Sequence, residues 1–554
     1  MKNSLGHELG ALLRLAGPLI SAQLAHALMI FTDTLMMAML GPQQLAGGAL
    51  GATCYFIFSI FCTGVIAAVG SLIAIRHGAG DPAGITRLIR NGLWLAMLLG
   101  IVSALCLNGL GPLLPHLGQD PGAASQAMDF LRPLSLALPG YLCFMALRGF
   151  TSAIGHPGPV MAISIAGTAA NFVINYALIK GWFGLPNLGL SGIGMTTALV
   201  SSAMALALAL YILLSPTYHR YKLRSGMGRP QRAEIRALLR LGLPIGGTYA
   251  AEQGLFTFAT LCMGALGSVQ LAAHQIAMQT VALAFIVPQG LSYAVTFRVG
   301  LHYGAGHLHL SRLSGHLGMA LGAALMLLFA LLFWLLPEWI IGLFLDRHDP
   351  AFADIVTLAV SLLAIAAWFE LFDGLQSIAM GAIRGLNDGR TTLLIGLTGY
   401  WCVGAPLVWL FVTICAYLAG ARLQRWFSGS AIVSPVLFAI IVVTGIVLLT
   451  GTAYDSYFSG AQFINFLLGP ATVALAVPLA KNFDLIRRDI KSVGPAMVAG
   501  SITSVLSGVL IVWALGGTAD VALSIAPKAV TTPIAMAVSD EIGGVPALTA
   551  ALAI

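Results

Sequence analysis

Charge is what this chain has least of. Only 8% of its 554 residues are Asp, Glu, Lys or Arg, 58% are hydrophobic, and the mean hydropathy is +0.92. No soluble domain covers its surface with so few charges. The net charge of +7 is no nucleic-acid footprint, because the basic residues sit in short loops between apolar runs. Nucleic acid is therefore not expected as a partner. Cysteine is scarce too. Cys54, Cys62, Cys106, Cys143, Cys262, Cys402 and Cys415 all lie in apolar stretches and form no CxxC, so they read as packing residues. The twelve histidines form no HExxH, and no Ser/His pair or paired aspartates in a GxGD-like context stands out, so nothing supports an enzyme. What the chain has is apolar length. Each bilayer crossing needs about 20 residues, and nearly every window of that size qualifies. The lipid bilayer is the expected surroundings. The run Leu9–Leu40 is too long for a cleavable signal and carries Asp33 inside it.

The second informative feature is an internal repeat. Pro18 recurs as Pro244, Leu40-Gly41 as Leu266-Gly267, Gln44-Leu45-Ala46 as Gln270-Leu271-Ala272, and Gly78-Ala79-Gly80 as Gly304-Ala305-Gly306, every pair 226 residues apart. Duplicated membrane halves are the usual build of secondary transporters. The apolar pattern predicts helices at 15–40, 46–76, 89–110, 127–153, 158–180 and 190–214. A second set follows at 240–266, 272–301, 313–336, 355–384 and 391–412. The segment 215–240 between the sets holds seven arginines and lysines against one acid, Glu234. With Arg76, Arg87, Arg90, Arg384 and Arg390 it marks the cytoplasmic side and a cytoplasmic N-terminus. Six helices per half make the halves parallel, with a cleft between them. The fold class is all-α polytopic membrane protein. The domains are an N-lobe (1–214), a basic linker (215–240), a C-lobe of five helices (241–410), and a different membrane segment (411–554).

Carboxylates at bilayer depth cost several kcal/mol and need a reason. Asp33, Glu252 and Asp373 sit inside apolar helices. Asn171 and Asn175, four residues apart, share a helix face and offer amide oxygens. Oxygen ligands suit Na⁺, possible at Glu252 and Asp373, and a carboxylate can instead carry H⁺. Under the repeat, Glu252 aligns with His26 and Asp33 with Ala259, so the scaffold was duplicated but the sites were not. Glu370, three residues before Asp373, either shares its site or lies at a wetter level. His26 either faces the cleft or packs as a satisfied core histidine. Phe369 and Gln275 are further candidates for a cargo cavity.

These residues resemble the multidrug and toxic compound extrusion (MATE) family in its NorM-like branch. The matching pieces are FTDTLMMAMLG, both GAG turns, NFVINYALI, AAEQGLF, LAAHQIA and FDGLQSIAMGAIRGLNDGRT, covering about three quarters of the chain. The resemblance implies a monomeric bacterial inner-membrane antiporter. It would expel amphipathic, often cationic drugs against inward Na⁺ or H⁺, with no other cofactor. It also implies that Glu252 and Asp373 are the C-lobe coupling carboxylates, and that Asp33, Asn171 and Asn175 form the N-lobe cluster. Phe369 departs from it, standing where related sequences often have tyrosine.

After Leu410 the counterpart of the sixth helix is absent. LLGPATVALAVPL and PKAVTTPIAMAVSDEIGG resemble the LrgB/CidB family instead, whose members are described as antiholin-like lysis regulators or relatives of an organic-acid translocator. That resemblance points to Lys528, Thr531 and Thr532 as a carboxylate-holding segment; a lysine snorkelling at an interface is the other reading of Lys528. The tail ends at Ile554 before that family's later motifs. Eleven preceding spans would also place the loops with Arg422 and Arg425, and with Lys481 to Lys491, on the outside, against the positive-inside tendency. The join therefore reads as a chimera of two incomplete families, and a non-functional hybrid is one reading of it.

Overall fold

The computed structural model describes residues 2–400 apart from 113, 115–120, 182–186, 227, 267, 346–348 and 350–351. Beyond Tyr400 it describes chiefly 435–449 and 483–549. The chain forms two compact units, Met1–Tyr400 and Trp401–Ile554. Among the described residues all regular structure is helical.

The N-lobe consists of α1 (Lys2–Leu40), α2 (Pro42–Gly78), α3 (Pro82–Asn108), α4 (Pro121–Ser135), α5 (Ala137–Ala153), α6 (Gly158–Lys180) and α7 (Gly189–Leu214). The C-lobe has α8 (Arg232–Leu266), α9 (Ser268–Gly304), α10 (Leu308–Leu335), the single-turn α11 (Pro337–Ile341), α12 (Ala353–Gly385) and α13 (Arg390–Leu397). Eight of the described helices are long and apolar enough to cross a membrane, and the α4–α5 pair makes a ninth.

The single helix expected at 127–153 is instead that pair, bent by 42°. The break falls at Leu136, in the turn that Pro139 disrupts: Pro139 has no N–H to give to Ser135 and its ring pushes that carbonyl away. Pro133, inside α4, likewise frees the Asp129 carbonyl, which takes the Ser191 hydroxyl of α7 at 3.0 Å. The linker expected at 215–240 is shorter than read from charge. Two tight turns occupy Pro216–Tyr221 and Leu223–Ser225, and Arg232, Arg236 and Arg240 already belong to α8. Of the helix expected at 391–412, residues to Tyr400 are described; the rest, the break at Leu410, Arg422, Arg425 and Thr531 lie outside the described residues.

The repeat appears as geometry. α2 and α9 begin and end at the same offset, and α3 and α10 begin at Pro82 and Leu308. The last glycine of each GAG turn adopts a left-handed backbone, Gly80 at φ +68° and Gly306 at φ +77°. The helix ends before these turns cross each other. A Cβ on Gly78 would lie 1.9 Å from the Leu301 carbonyl oxygen, and one on Gly304 would lie 1.8 Å from that of Ile75. Ile75 and Leu301 are themselves repeat mates. The same exchange occurs deeper, where Gly64 abuts Gly246 of α8 and Gly290 abuts Ile20 of α1. Each lobe's second helix thus lies on the other lobe's first. The lobes are related by a two-fold with both GAG ends together, as parallel repeats require.

The cores follow this symmetry. One apolar cluster spans both lobes at the GAG end. It takes the first half of α1 (Leu12, Leu15, Leu19), the second halves of α2 and α9 (Val65 to Ala74; Leu291 to Val299) and the start of α8 (Leu238, Leu241, Ile245). At the opposite end each lobe keeps its own core, around Met36, Phe130 and Ile193 in one and around Ala277, Phe333 and Leu363 in the other. The lobes are therefore fused at the basic, GAG-bearing end and packed separately at the other.

The second unit has α14 (Pro435–Leu449), α15 (Phe483–Ala514, with Pro495 inside), α16 (Ala519–Ile525), a tight turn at Ala526–Ala529, and α17 (Thr532–Glu541). Ser524 Oγ accepts from the Val545 N–H at 2.7 Å, and Thr549 donates to Ser539 at 2.6 Å, closing this end on itself.

Candidate functional site

The N-lobe buries a carboxylate among amides. Asp33, 8% exposed, projects from α1 toward α6 and α7. Its Oδ1 accepts from Asn175 Nδ2 at 2.7 Å and its Oδ2 from the Thr197 hydroxyl at 2.8 Å. Asn175 Nδ2 also reaches Asn171 Oδ1 at 3.2 Å, and both asparagines are fully buried. Each hydrogen bond to a charged oxygen contributes about 1.5–3 kcal/mol, which offsets part of the cost of burying Asp33. Asn175 Oδ1 is buried with no hydrogen-bond partner, an acceptor left over beside the carboxylate. The three expected residues meet, and Thr197 joins them. Sequence reasoning missed Thr197 because a lone hydroxyl in an apolar helix also bonds its own backbone, as Thr197 does to Ile193 O at 3.2 Å. Its only signal was the TT pair in the last helix of the N-lobe.

The C-lobe gathers three acids. Glu252 on α8 and Asp373 on α12 lie within electrostatic reach of one another, and Arg384 is within reach of Glu252. Asp373 is 5% exposed and Glu370 is fully buried, within reach of Asp373. Glu370 thus lies in the protein interior, with neither oxygen hydrogen-bonded among the described residues. Phe369 packs edge-on against Phe256 at 5.9 Å. The hydroxyl that phenylalanine lacks is replaced in the neighbourhood by Tyr400, which takes a hydrogen bond from Gln376 and lies within electrostatic reach of Glu252 and Asp373. Gln275 is exposed on α9, apart from the acids' hydrogen bonds. His26 stacks on Tyr141 at 5.3 Å and lines a narrow cavity inside the N-lobe.

Arg384, expected at the end of the helix over 355–384 as a marker of the cytoplasmic side, stands in the last turn of α12 and is 5% exposed. It donates to the Tyr249 hydroxyl at 2.5 Å, to Ser292 Oγ at 2.8 Å and to Met380 O at 3.3 Å. Among the described residues it forms no ion pair with Asp373 or Glu252.

At the fused end two ion-pair sets join the lobes. Glu8 of α1 takes Arg298 of α9 at 2.9 and 2.5 Å, His302 at 3.2 Å and the Ser314 hydroxyl of α10 at 2.6 Å. Glu234 of α8 takes Arg76 of α2 at 2.9 Å and Arg87 of α3 at 3.3 Å. Glu8 and Glu234 are repeat mates, as are Arg76 and His302. The one acid of the basic linker is thus not a stray charge but the C-lobe member of a symmetric pair.

The family model described as MatE matches residues 18–177 and 244–410, more than half of the chain. The chain belongs to the MatE family. A "Probable multidrug resistance protein NorM" of Pseudomonas putida is 63% identical over 419 residues, 76% of this MatE chain and 90% of the relative. The crystal structure of the eukaryotic MATE transporter AtDTX14 superposes with a TM-score of 0.66 at 20% identity, over 83% of this chain and 100% of that one. A structure titled "Outward-facing conformation of a multidrug resistance MATE family transporter of the MOP superfamily" gives 0.66 at 18% identity, over 83% and 96%. At such identities these two likenesses concern the fold. The LrgB-like family model matches residues 413–554 of the same chain. In that segment the Lys528 ammonium lies against Gly508 of α15, 3.1 Å from where a Cβ would stand; Thr532 opens α17.

Proposed function

We propose that residues 1–410 form a cation-coupled exporter of amphipathic, often cationic drugs in the bacterial inner membrane, with the N-terminus in the cytoplasm. One observation carries it. Two clusters built on buried carboxylates, Asp33–Asn175–Thr197 and Glu370–Asp373 with the half-buried Glu252, occupy a body whose lobes share a core at its basic end. With that end cytoplasmic, the conformation faces outward. Anionic carboxylates in a low-dielectric cleft attract an organic cation. A proton or Na⁺ at the same oxygens removes that attraction, and its differential affinity shifts the access equilibrium. The Glu8 and Glu234 ion pairs then act as latches that open for the inward-facing state. The relatives' printed names support the drug reading.

Everted vesicles carrying the chain should accumulate ethidium in their lumen when given a lumen-high proton or Na⁺ gradient, and the effective gradient names the ion. Absence of accumulation with either gradient would refute the assignment.

A second reading concerns residues 413–554 alone, favoured by their match to the LrgB-like family. Lys528 would hold a small organic acid. Uptake of glycolate by cells expressing the chain should then fall several-fold in Lys528→Ala; equal uptake in both removes this reading.

A further inference from the structure

The N-lobe interior contains a cation that, among the described residues, has no carboxylate partner. Arg148 of α5 is 6% exposed. Its Nη1 donates to Gln23 Oε1 at 2.6 Å, and Gln23 in turn donates to Gln289 of α9. The guanidinium lies over the Tyr293 ring, 5.1 Å from the centroid. Its Nη2 is buried and has no hydrogen-bond partner. Among the described residues Arg148 joins no ion pair. It borders the narrow cavity between α1, α5, α6 and α7, together with Gln23, His26, Tyr141, Thr168 and Ser201, and no acid lines that cavity.

A guanidinium keeps its charge, and an intramembrane charge without a counter-charge is costly enough to mark function. On α1, Asp33 lies ten residues beyond Gln23, the partner of Arg148, or about 15 Å along the helix. Its oxygens are already engaged by Asn175 and Thr197. The open edge of Arg148 is a planar donor of the kind that matches a carboxylate.

We propose that this cavity is an anion subsite in which Arg148 Nη2 holds one negatively charged group. That group is either the carboxylate of a zwitterionic cargo molecule or a free small anion such as chloride. The cargo source rests on the export reading above; the chloride source does not. With a cargo carboxylate bound here and its amine end at Asp33, the N-lobe selects molecules that carry both charges.

The test uses the full chain in nanodiscs with two arms. In the first, equilibrium binding is measured for a fluoroquinolone, an aromatic amine bearing a carboxylate, and for its methyl ester. In the second, the thermal midpoint is followed as chloride replaces gluconate. If the carboxylate belongs to cargo, Arg148→Gln should weaken binding of the acid about tenfold or more, as loss of a charge-assisted bond does. The ester should bind as before, and Arg148→Lys should recover part of the loss. If the occupant is free chloride, the salt should raise the midpoint of the wild type and of Arg148→Lys but not of Arg148→Gln. Equal weakening of acid and ester, with no Arg148-dependent chloride effect, overturns the proposal. Should the wild type bind neither organic compound, the export reading fails, while the chloride arm still decides the subsite.

Discussion

Asp373→Asn should reduce drug export by this chain to that of cells lacking it. Asparagine keeps the size of the side chain and most of its hydrogen bonding but cannot gain or lose a proton, and it presents one oxygen without charge. Asp373 stands with Glu252 and Glu370 in one buried cluster, so its charge is felt by both neighbours. A site fixed in the neutral state no longer distinguishes loaded from empty, and a ligand without differential affinity shifts no equilibrium. Ethidium accumulation and growth inhibition at matched expression are the measurements. Resistance equal to wild type would remove Asp373 from the coupling machinery.

Glu8→Gln combined with Glu234→Gln should open the basic end. Removing the acid of a buried pair leaves its basic partners uncompensated, at a cost of about 3–5 kcal/mol where burial is deep. Glu8 has a side chain only 4% exposed, and Arg298 and His302 around it are 15% and 12% exposed. Glu234, with the more exposed Arg87 as a partner, contributes less. The closed state should lose on the order of a hundredfold in population, the share of one well-buried pair. The readout is labelling of a cysteine placed at Leu301, in a background free of native cysteines, by an impermeant maleimide added to everted vesicles. Labelling no faster than in the parent protein would show that the glycine crossings alone keep this end shut.

Much of this architecture could be read from residue order, for identifiable reasons. The 226-residue offset survives as matched helix ends because Gly78 and Gly304 tolerate no side chain where α2 and α9 cross. Asp33, Asn171 and Asn175 were legible because a carboxylate and an i,i+4 amide pair are out of place in an apolar helix. Thr197 was not, since a hydroxyl mid-helix carries no such penalty. Nor was the partnership of Glu8 with Arg298, which spans 290 residues and involves a charge that looks like an ordinary helix-end residue. The burial of Arg384 was not legible, because charge counting cannot tell a guanidinium at a wet helix end from one sunk onto Tyr249 and Ser292. The α4–α5 bend was available from Pro139, whereas Ser191, which takes up the carbonyl that Pro133 frees, lies far along the chain. For the tail, Lys528 was legible as an isolated basic residue beside Pro527, whereas its neighbour Gly508 was not.

The reciprocal crossing of Gly78 on Leu301 and Gly304 on Ile75 bears on leakiness. Because one two-fold relates the contacts, a rotation of the lobes about that axis parts both in the same motion. Such an opening passes through no half-released state in which one edge leaks while the other holds. For a rotation of that kind, a gate without a leaky intermediate is a property of the duplication itself.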